Sequence, residues 1–309
     1  MPSIHKAVLL QEVVEGLTGG AKSDRNEALC YLDCTLGGAG HALAIVDAFK
    51  GKLTLVGLDS DMQAVERARS VLAGKAEKVI LENENFRNLD QVMDKNGIQK
   101  ADLILMDLGY SSDELESSGR GFSFQKDEPL LMTLGDPARY PFTAKDILNG
   151  WDENVIADII FGYGEDRFAR RIARAIVVYR EKKHIETSME LAEIVKSAVP
   201  AFIRRGKIHP ATKTFQALRI AVNDELNALK EGIAKGYERL SSGDEPGQGG
   251  KMAVISFHSL EDRIVKEFFR RMALENGSAI LTKKPIGPSA QEVAENPRSR
   301  SAKLRIIQK

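Results

Sequence analysis

Glycines and carboxylates near the start of the chain have the spacing of a nucleoside-binding loop. An apolar run ends at Asp33 and is followed by Gly37, Gly38 and Gly40, and a second apolar run ends at Asp59. Glycines let the backbone approach a ligand closely, and an acidic side chain after the next strand can bind both ribose hydroxyls. The pattern therefore favours a nucleoside ligand over the alternative, an ordinary glycine turn of an open α/β sheet.

The chemistry of this loop separates the candidate ligands. The dinucleotide fingerprint G-x-G-x-x-G requires a glycine where Ala39 stands, which disfavours an NAD-dependent oxidoreductase. Asp33 lies just before the glycines, and a carboxylate suits a cation better than a pyrophosphate because like charges repel in a partly buried site. S-adenosylmethionine carries an ammonium and a sulfonium and has no phosphate. It is the cofactor that these residues favour.

Asp107 could act on a methyl acceptor. It ends a further apolar run and is followed by Gly109, Ser111 and Ser112. Because a sulfonium departs readily, the protein's main task is to align the nucleophile with the methyl carbon. An exocyclic base amine is a weak nucleophile, and a carboxylate that accepts its N–H bonds would orient it and stabilise its developing positive charge. Asp107 is the candidate catalytic residue; the alternative is a carboxylate that binds only backbone amides.

Other reactive side chains do not form a recognisable site. The run from Phe257 to Asp262 contains Ser, His and Asp, but such close neighbours cannot aim at one another as a catalytic triad must. The histidines are too scattered for a metal site, and none is predicted. Cys30 and Cys34 would lie about 13 Å apart on an extended strand, too far for a disulfide, and two thiols alone make no zinc site.

The candidate residues require a sheet that brings strand ends together. In the first third of the chain, runs of Leu, Ile and Val alternate with helix-like segments, which predicts a doubly wound, mostly parallel α/β sheet with helices on both faces. Ligands bind such sheets beyond the carboxyl ends of the strands, where the strand order switches. The residues predicted there are Asp33, Asp59, the turn at residues 83–86, Asp107 and His258. Phe86 in that turn could contact an adenine ring.

The pattern changes after Asp107. Residues 109–141 are rich in Gly, Ser, Asp and Pro, and residues 143–199 follow helical spacing without a clear strand, which predicts an inserted all-helical domain. We expect a first part of the sheet domain at residues 1–112, the insertion at residues 113–211 and the second part of the sheet domain at residues 212–309.

The second part of the sheet domain is expected to contain both helices and strands. One long helix is predicted from Thr212 to Ile233, followed by a strand at residues 251–257. Ser259 is the predicted N-cap of the next helix, paired with Asp262. Two short strands near residues 279–281 and 304–307 are predicted to close the sheet as an antiparallel edge.

Basic residues are clustered although the chain has 44 basic and 44 acidic residues and no formal net charge. The clusters are Arg167, Arg170, Arg171, Arg174, Arg180, Lys182 and Lys183; Arg204, Arg205 and Lys207; and Arg298, Arg300, Lys303, Arg305 and Lys309. Local potential governs attraction to phosphates, so the clusters are compatible with a nucleic-acid partner. The first cluster could equally be the solvated face of an amphipathic helix, since Phe168, Ile172, Ile176 and Tyr179 recur at helical spacing.

Length and composition set broad bounds. With 309 residues and 43% hydrophobic content, the chain can bury one large core or two smaller ones. Its apolar runs are shorter than a membrane span, and the first residues lack a signal-like apolar segment. We expect a soluble, cytoplasmic protein without a membrane partner.

Seven motifs in the same order resemble the bacterial MraW/RsmH family, and the similarity runs from His5 to Arg305. They are GAGH at residues 38–41, DLGYSS at 107–112, RGFSF at 120–124, YGEDRFA at 163–169, HPATKTFQ at 209–216, ISFHSLEDR at 255–263 and ENPR at 295–298. The resemblance implies an S-adenosylmethionine-dependent methyltransferase that modifies the N4 amine of a cytosine in small-subunit (16S) ribosomal RNA. It also implies a Rossmann-like class I methyltransferase fold interrupted by a helical domain.

The resemblance assigns roles by position. It implies cofactor contacts from Ala39, Gly40, His41, Asp59, Phe86, Asp107 and Glu114, and Glu114 stands where the family usually has glutamine. The insertion and the basic C-terminal stretch would bind RNA, and the predicted RNA contacts are Ser111, Ser112, Arg120, His258, Arg298 and Arg300.

Two departures from the family leave a second hypothesis open. Leu131 stands where the family usually has Asp, and Thr133 where it usually has Arg. The alternative is therefore a non-catalytic RNA-binding factor for ribosome assembly that retains the fold. The sequence does not decide between free RNA and an assembling 30S subunit as the substrate, and it leaves the oligomeric state open, a homodimer included.

Overall fold

The chain folds as two compact units. The computed structural model describes residues 7–19, 29–109, 118–206, 208–245 and 247–309. The first unit combines Met1–Ser111 with Leu226–Lys309, and the second is Ser112–Glu225. The second unit thus ends beyond residue 211, where we expected the insertion to end.

The first unit is built on a seven-stranded, mostly parallel sheet. Its strand order is β3-β2-β1-β4-β5-β7-β6, in which β1 to β5 run parallel and β7 pairs antiparallel with both β5 and β6. The strands are β1 (Leu29–Asp33), β2 (Leu53–Asp59), β3 (Lys78–Asn83), β4 (Leu103–Asp107), β5 (Lys251–Ser256), β6 (Ala279–Ile280) and β7 (Lys303–Gln308). This arrangement confirms the predicted α/β class and the antiparallel edge.

Helices cover both faces of this sheet. They are Leu10–Thr18, Gly40–Ala48, Met62–Leu72, Leu89–Lys95, Glu225–Arg239, Ser259–Asn276 and Ala290–Glu295. Successive strand residues point to opposite faces, so Tyr31 and Leu55 belong to one buried cluster while Leu32 and Val56 belong to the other. A parallel sheet buried on both faces explains why its strands are almost continuously apolar.

The second unit is helical around a core of its own. Its helices are Ala144–Gly150, Glu153–Gly164, Ala169–Arg180, Ser188–Ala198, Ala201–Arg204 and Thr212–Asn223. Two of them begin with a capping box, at Thr143 with Asp146 and at Thr187 with Glu190, which satisfies backbone amides that a helix start leaves unpaired. No strand longer than an isolated bridge occurs among the described residues of this unit.

The prediction of one long helix from Thr212 to Ile233 is wrong. The helix ends at Asn223, Asp224 adopts a left-handed conformation with φ 49°, and a new helix begins at Glu225. Asp tolerates this conformation better than most residues because its short polar side chain can form local hydrogen bonds. Arg219 and Glu225 form a two-point ion pair across the break, at 2.7 and 2.8 Å.

The prediction that Ser259 caps the following helix is also wrong. His258 is the N-cap of helix Ser259–Asn276, and its partner three residues on is Glu261. Asp262 instead binds β7, with Oδ1 2.7 Å from Arg305 Nε and Oδ2 3.1 Å from Lys303 Nζ. None of the described helices has the length and apolar character needed to cross a membrane.

Candidate functional site

The strand order switches at β1, which is the position where open α/β sheets bind ligands. This strand pairs with β2 on one side and with β4 on the other. Chain connections leave such a pair of neighbours in opposite directions and open a crevice beyond the carboxyl ends. Asp33, Asp59 and Asp107 are the last residues of the three strands, so the structure brings together the carboxylates that the sequence singled out.

The loop after β1 lies close to β2. Leu36 N donates to the carbonyl of Leu58 at 2.9 Å, and a Cβ at Gly57 would lie only 2.6 Å from the Leu36 side chain. Gly37 and Ala39 both have positive φ, 47° and 60°, a conformation that glycine adopts easily and alanine does not. The loop therefore needs glycine in the neighbouring strand as well as in its own sequence.

Asp59 fixes this loop to the start of the next helix. Its Oδ2 accepts a hydrogen bond from Gly37 N and its Oδ1 accepts one from Asp61 N, both at 2.8 Å. Burial raises the pKa of Asp59, while these two bonds favour the charged form. A carboxylate oxygen has two lone pairs, so each oxygen can accept a further donor.

Asp33 is buried beneath the same loop. Its Oδ2 accepts a hydrogen bond from the Tyr31 hydroxyl at 2.9 Å, and its Oδ1 accepts one from Thr35 N at 3.1 Å. Burial raises the pKa of the Asp33 carboxyl to about 6. A carboxyl held so far from water gains more than an exposed one from a nearby positive charge.

Asp107 is the most perturbed of the three carboxyls. Burial, reinforced by the negative charge of Glu261, raises its pKa to about 7. Its backbone N donates to the Thr35 hydroxyl oxygen at 2.7 Å, which ties the end of β4 to the glycine loop. Its Oδ1 is buried and has no hydrogen-bond partner among the described residues. A buried polar atom in this condition is a candidate for ligand contact.

His41, in the first turn of helix Gly40–Ala48, lies beside Asp107. Its Nε2 donates to the carbonyl of Val8 at 2.9 Å, and its Nδ1 lies 3.6 Å from Asp107 Oδ2. Burial lowers the pKa of His41, which favours the neutral ring. With the ring proton on Nε2, a lone pair on Nδ1 faces Asp107, and a proton on the carboxyl relieves the resulting repulsion. The raised pKa of Asp107 agrees with this geometry.

His258 and Glu261 form a buried turn after β5. Glu261 Oε2 accepts hydrogen bonds from Phe257 N at 2.8 Å and His258 N at 3.2 Å, and His258 Nδ1 accepts one from Glu261 N at 3.4 Å. His258 thus has a structural role as a helix cap. Its predicted contact with RNA stays a prediction.

Phe86 packs against a glycine of helix Glu225–Arg239. A Cβ placed on Gly232 would lie 2.5 Å from the Phe86 ring, so only glycine allows this close approach. The ring is half-buried, and it packs against the core on this face of the sheet. The predicted contact with an adenine ring stays a prediction.

Arg120 has a structural role within the second unit. Its Nη1 donates to the carbonyls of Thr133 at 2.7 Å and Gly135 at 2.9 Å. Thr133 is completely buried, and its hydroxyl donates to the same Gly135 carbonyl at 3.1 Å. Leu131 is half-buried. The segment that departs from the family pattern is therefore held in place by Arg120.

The remaining predicted residues make no recorded contact with these carboxylates or lie outside the described residues. Arg298 and Arg300 are exposed on the short 3-10 helix Pro297–Ser301. Ser111, Ser112 and Glu114 lie outside the described residues.

Sequence reasoning missed three residues that shape the site. Tyr31 and Thr35 bind Asp33, Thr35 also binds the Asp107 backbone, and Glu261 raises the Asp107 pKa. The Thr35 contact joins the loop after β1 to the end of β4, which no local pattern reveals. The spacing of His258 and Glu261 fits a capping box with histidine as the cap, and this spacing could have indicated the role of Glu261.

Three carboxyls at the ends of neighbouring strands give the site its chemical character. Asp33, Asp59 and Asp107 end neighbouring strands, and burial raises the pKa of each. A cationic ligand would stabilise their charged forms, whereas a phosphate would repel them. Asp107 has in addition an acceptor oxygen without a partner within the part of the chain that the structure describes.

Comparison with known proteins identifies the family. The model of the MraW methylase family matches residues 2–309. The chain belongs to the MraW methylase family. It is 42% identical over 323 residues to "Ribosomal RNA small subunit methyltransferase H" of Brevibacillus brevis, covering 99% of this chain and 98% of that protein. A Paenibacillus protein of the same name is 42% identical over 329 residues, covering 99% of each.

The likeness to solved structures is weaker. The crystal structure of NSun6 from Pyrococcus horikoshii is 12% identical to this chain, with a TM-score of 0.43, and the alignment covers 97% of this chain and 50% of that one. The resemblance to the MraW/RsmH family that the seven motifs indicate is confirmed by the family model and the curated relatives.

Proposed function

We propose that this MraW-family protein transfers a methyl group from S-adenosylmethionine to the N4 amine of a cytosine in small-subunit ribosomal RNA. Its membership of the family and the names of its relatives support a ribosomal RNA substrate. The observation that carries the proposal is Asp107, a half-buried carboxyl whose buried Oδ1 has no partner, at the switch point of the sheet, as far as the structure describes the chain. Since ribosomal RNA is the proposed substrate, the proposed place of action is the cytoplasm.

The donor site is proposed at the carboxyl ends of β1, β2 and β4. When bound there, S-adenosylmethionine supplies an electrophilic methyl group on a sulfonium. Asp33 and Asp107 fit a cationic ligand because desolvation raises the pKa of each, and a nearby positive charge would stabilise the ionised form. Asp59 retains lone pairs for the ribose hydroxyls. The further proposed donor contacts are Ala39, Gly40, His41, Phe86 and Glu114.

Asp107 would act on the acceptor. Its free Oδ1 would accept an N–H bond of the cytosine amine and thereby hold the nitrogen toward the methyl carbon. The lone pair of this amine is delocalised into the ring, so a carboxylate that stabilises positive charge on the nitrogen favours the reaction. A pKa of about 7 lets Asp107 ionise near neutral pH and then take a proton from the methylated amine.

The RNA substrate is proposed to be single-stranded around the target base. Bases in loops can be moved out of their stack and enter a pocket, whereas the deep groove of an RNA helix hides them. Ser111 and Ser112 follow Asp107 in the chain and are proposed to contact the RNA, together with Arg120, His258 and the exposed Arg298 and Arg300.

A non-catalytic assembly factor is the second candidate. The feature that favours it is the loss of the family's usual Asp and Arg at Leu131 and Thr133. In this chain the Arg120 guanidinium binds the Thr133 and Gly135 carbonyls, so the segment remains ordered by other contacts.

The product identifies the function. Small-subunit RNA is incubated with the protein and methyl-labelled S-adenosylmethionine, digested to nucleosides and separated by chromatography with mass detection. We expect label in N4-methylcytidine. Tight RNA binding without any transfer would support the assembly factor, and label in another nucleoside would contradict the cytosine-N4 assignment.

A further inference from the structure

One face of helix Ala169–Arg180 carries positive charge without compensating acids. Arg170, Arg171 and Arg174 are exposed and fall within about 100° around the helix axis. The side of the helix that packs inward carries Ala169, Ile172, Ala173 and Ile176, which are buried in the core of the second unit. Packing therefore requires the apolar residues of this helix but not the arginines.

These arginines lack partners within the part of the chain that the structure describes. None of the three makes an ion pair or side-chain hydrogen bond with any residue that the structure describes, and the helix itself contains no acidic residue. Solvated helix faces usually gain stability from opposite charges one turn apart, which this face lacks.

The position of the arginines is also unfavourable for the helix. Arg170 and Arg171 lie in its first turn, and no acidic residue lies there. The helix dipole places partial positive charge at this end, so cations there are destabilising. These charges do not stabilise the helix, and they are available to an external anion.

An aromatic side chain lies beside the start of this helix. Phe202 is 62% exposed on the short helix Ala201–Arg204, and its ring packs edge-on against Phe168 with centroids 6.4 Å apart. The guanidinium carbon of Arg167 lies 4.8 Å from the Phe168 ring centroid and 5.6 Å from that of Phe202. Arg204, at the end of the short helix, is exposed as well.

We propose that Phe202 and Arg167 form a stacking surface for an unpaired base, and that Arg170, Arg171 and Arg174 bind the phosphates of the same single-stranded RNA segment. Exposed aromatic rings and guanidinium planes stack on bases of any sequence, and arginines beside them follow the backbone. This inference rests on the proposed function for its choice of RNA, and it assigns to that RNA a surface on the second unit.

Salt dependence tests the phosphate contacts. The probe is a fluorescein-labelled, single-stranded pyrimidine oligoribonucleotide, and its affinity is measured by anisotropy over a range of salt concentrations. For single strands the slope of log affinity against log salt falls by about 0.7 per lost phosphate contact, so R170Q/R171Q/R174Q should reduce it by about 2. The matched control K50Q/K52Q/K75Q removes three exposed lysines of the first unit and should leave the slope unchanged.

Substitution of Phe202 tests stacking. Phe202→Ala should weaken binding of the same probe about tenfold, while Phe202→Tyr should retain the affinity. In Phe202→Trp the introduced indole should be quenched when the probe binds. Because the side chain is exposed, these variants should unfold at the same temperature as the wild type.

The outcomes separate this inference from the proposed function. Equal RNA affinity and salt slope in R170Q/R171Q/R174Q and its lysine control would overturn the inference even if the protein methylates RNA. Weaker binding in the arginine and Phe202→Ala variants would support it even if no methyl transfer occurs. If these variants instead abolished self-association and left RNA affinity unchanged, the inference would be overturned and the surface would be an interface between copies of the chain.

Discussion

At the scale of single residues, the site depends on carboxyls kept away from water. Burial raises the pKa of Asp33 to about 6 and that of Asp107 to about 7, with Glu261 contributing at Asp107. Both groups favour the protonated form in the free protein at mildly acidic pH. Their folded-state pKa values exceed the unfolded ones, so the stability they contribute is fully present below about pH 4 and is lost as the pH rises through about 6 to 7.

The same shifts predict how donor affinity depends on pH. A cationic donor binds the ionised carboxylates better than the neutral carboxyls, so affinity for S-adenosylmethionine should rise about tenfold between roughly pH 5.5 and pH 8 and then level off. S-adenosylhomocysteine lacks the sulfonium charge and serves as the matched ligand. Calorimetric titration of both ligands checks the prediction. An equal pH dependence for the two would show that the buried carboxyls do not respond to the sulfonium.

At the scale of elements, helix Glu225–Arg239 determines where Phe86 lies. Gly232 allows the Phe86 ring to approach the helix backbone, and Gly236, one turn further on, faces Met252. The two glycines differ in what a larger side chain would meet. A Cβ at Gly232 would overlap an aromatic ring at 2.5 Å, whereas one at Gly236 would meet the flexible end of Met252 at 2.8 Å.

Alanine at these two positions should therefore have different effects. Gly232→Ala should lower the free energy of unfolding by about 1 kcal/mol, because overlap with Phe86 outweighs the gain in helix propensity. It should also weaken binding of S-adenosylhomocysteine, since Phe86 is a proposed donor contact. Gly236→Ala should leave that affinity unchanged. Chemical denaturation and calorimetry measure both quantities.

The two glycine variants together test whether Phe86 contacts the donor. A stable Gly232→Ala variant with full affinity for S-adenosylhomocysteine would remove Phe86 from the proposed donor site. Lost affinity in both variants would instead indicate a general disturbance of the helix.

At the scale of the whole molecule, the sequence predicts the order and class of the strands better than it predicts the contacts between individual side chains. Strand-end carboxylates such as Asp59 and Asp107 could be located because a parallel sheet places all carboxyl ends at one edge. The helix break at Asp224 could not be predicted, because the apolar spacing continues across it and only the backbone conformation changes. The boundary between the two units lies next to this break, so the apolar spacing did not predict its position either.

The basic clusters illustrate the same limit. Arg305 and Lys303 bind Asp262, and Lys309 Nζ binds carbonyls near the end of helix Glu225–Arg239, so much of the C-terminal cluster has a structural role. The arginines on the exposed face of helix Ala169–Arg180 have no such partners among the described residues. Composition alone cannot distinguish these cases, because the difference lies in which acids and carbonyls fold beside each cation.

The rate of methyl transfer by Asp107→Asn measures what the Asp107 carboxylate contributes to the reaction. Asparagine keeps the shape of the side chain and one oxygen acceptor, but it lacks the negative charge that stabilises a cationic amine and it cannot take a proton from that amine. Single-turnover transfer to small-subunit RNA should fall by about 10²- to 10⁴-fold at a saturating concentration of S-adenosylmethionine. Transfer at the wild-type rate by a folded, donor-binding Asp107→Asn protein would contradict a catalytic role for Asp107.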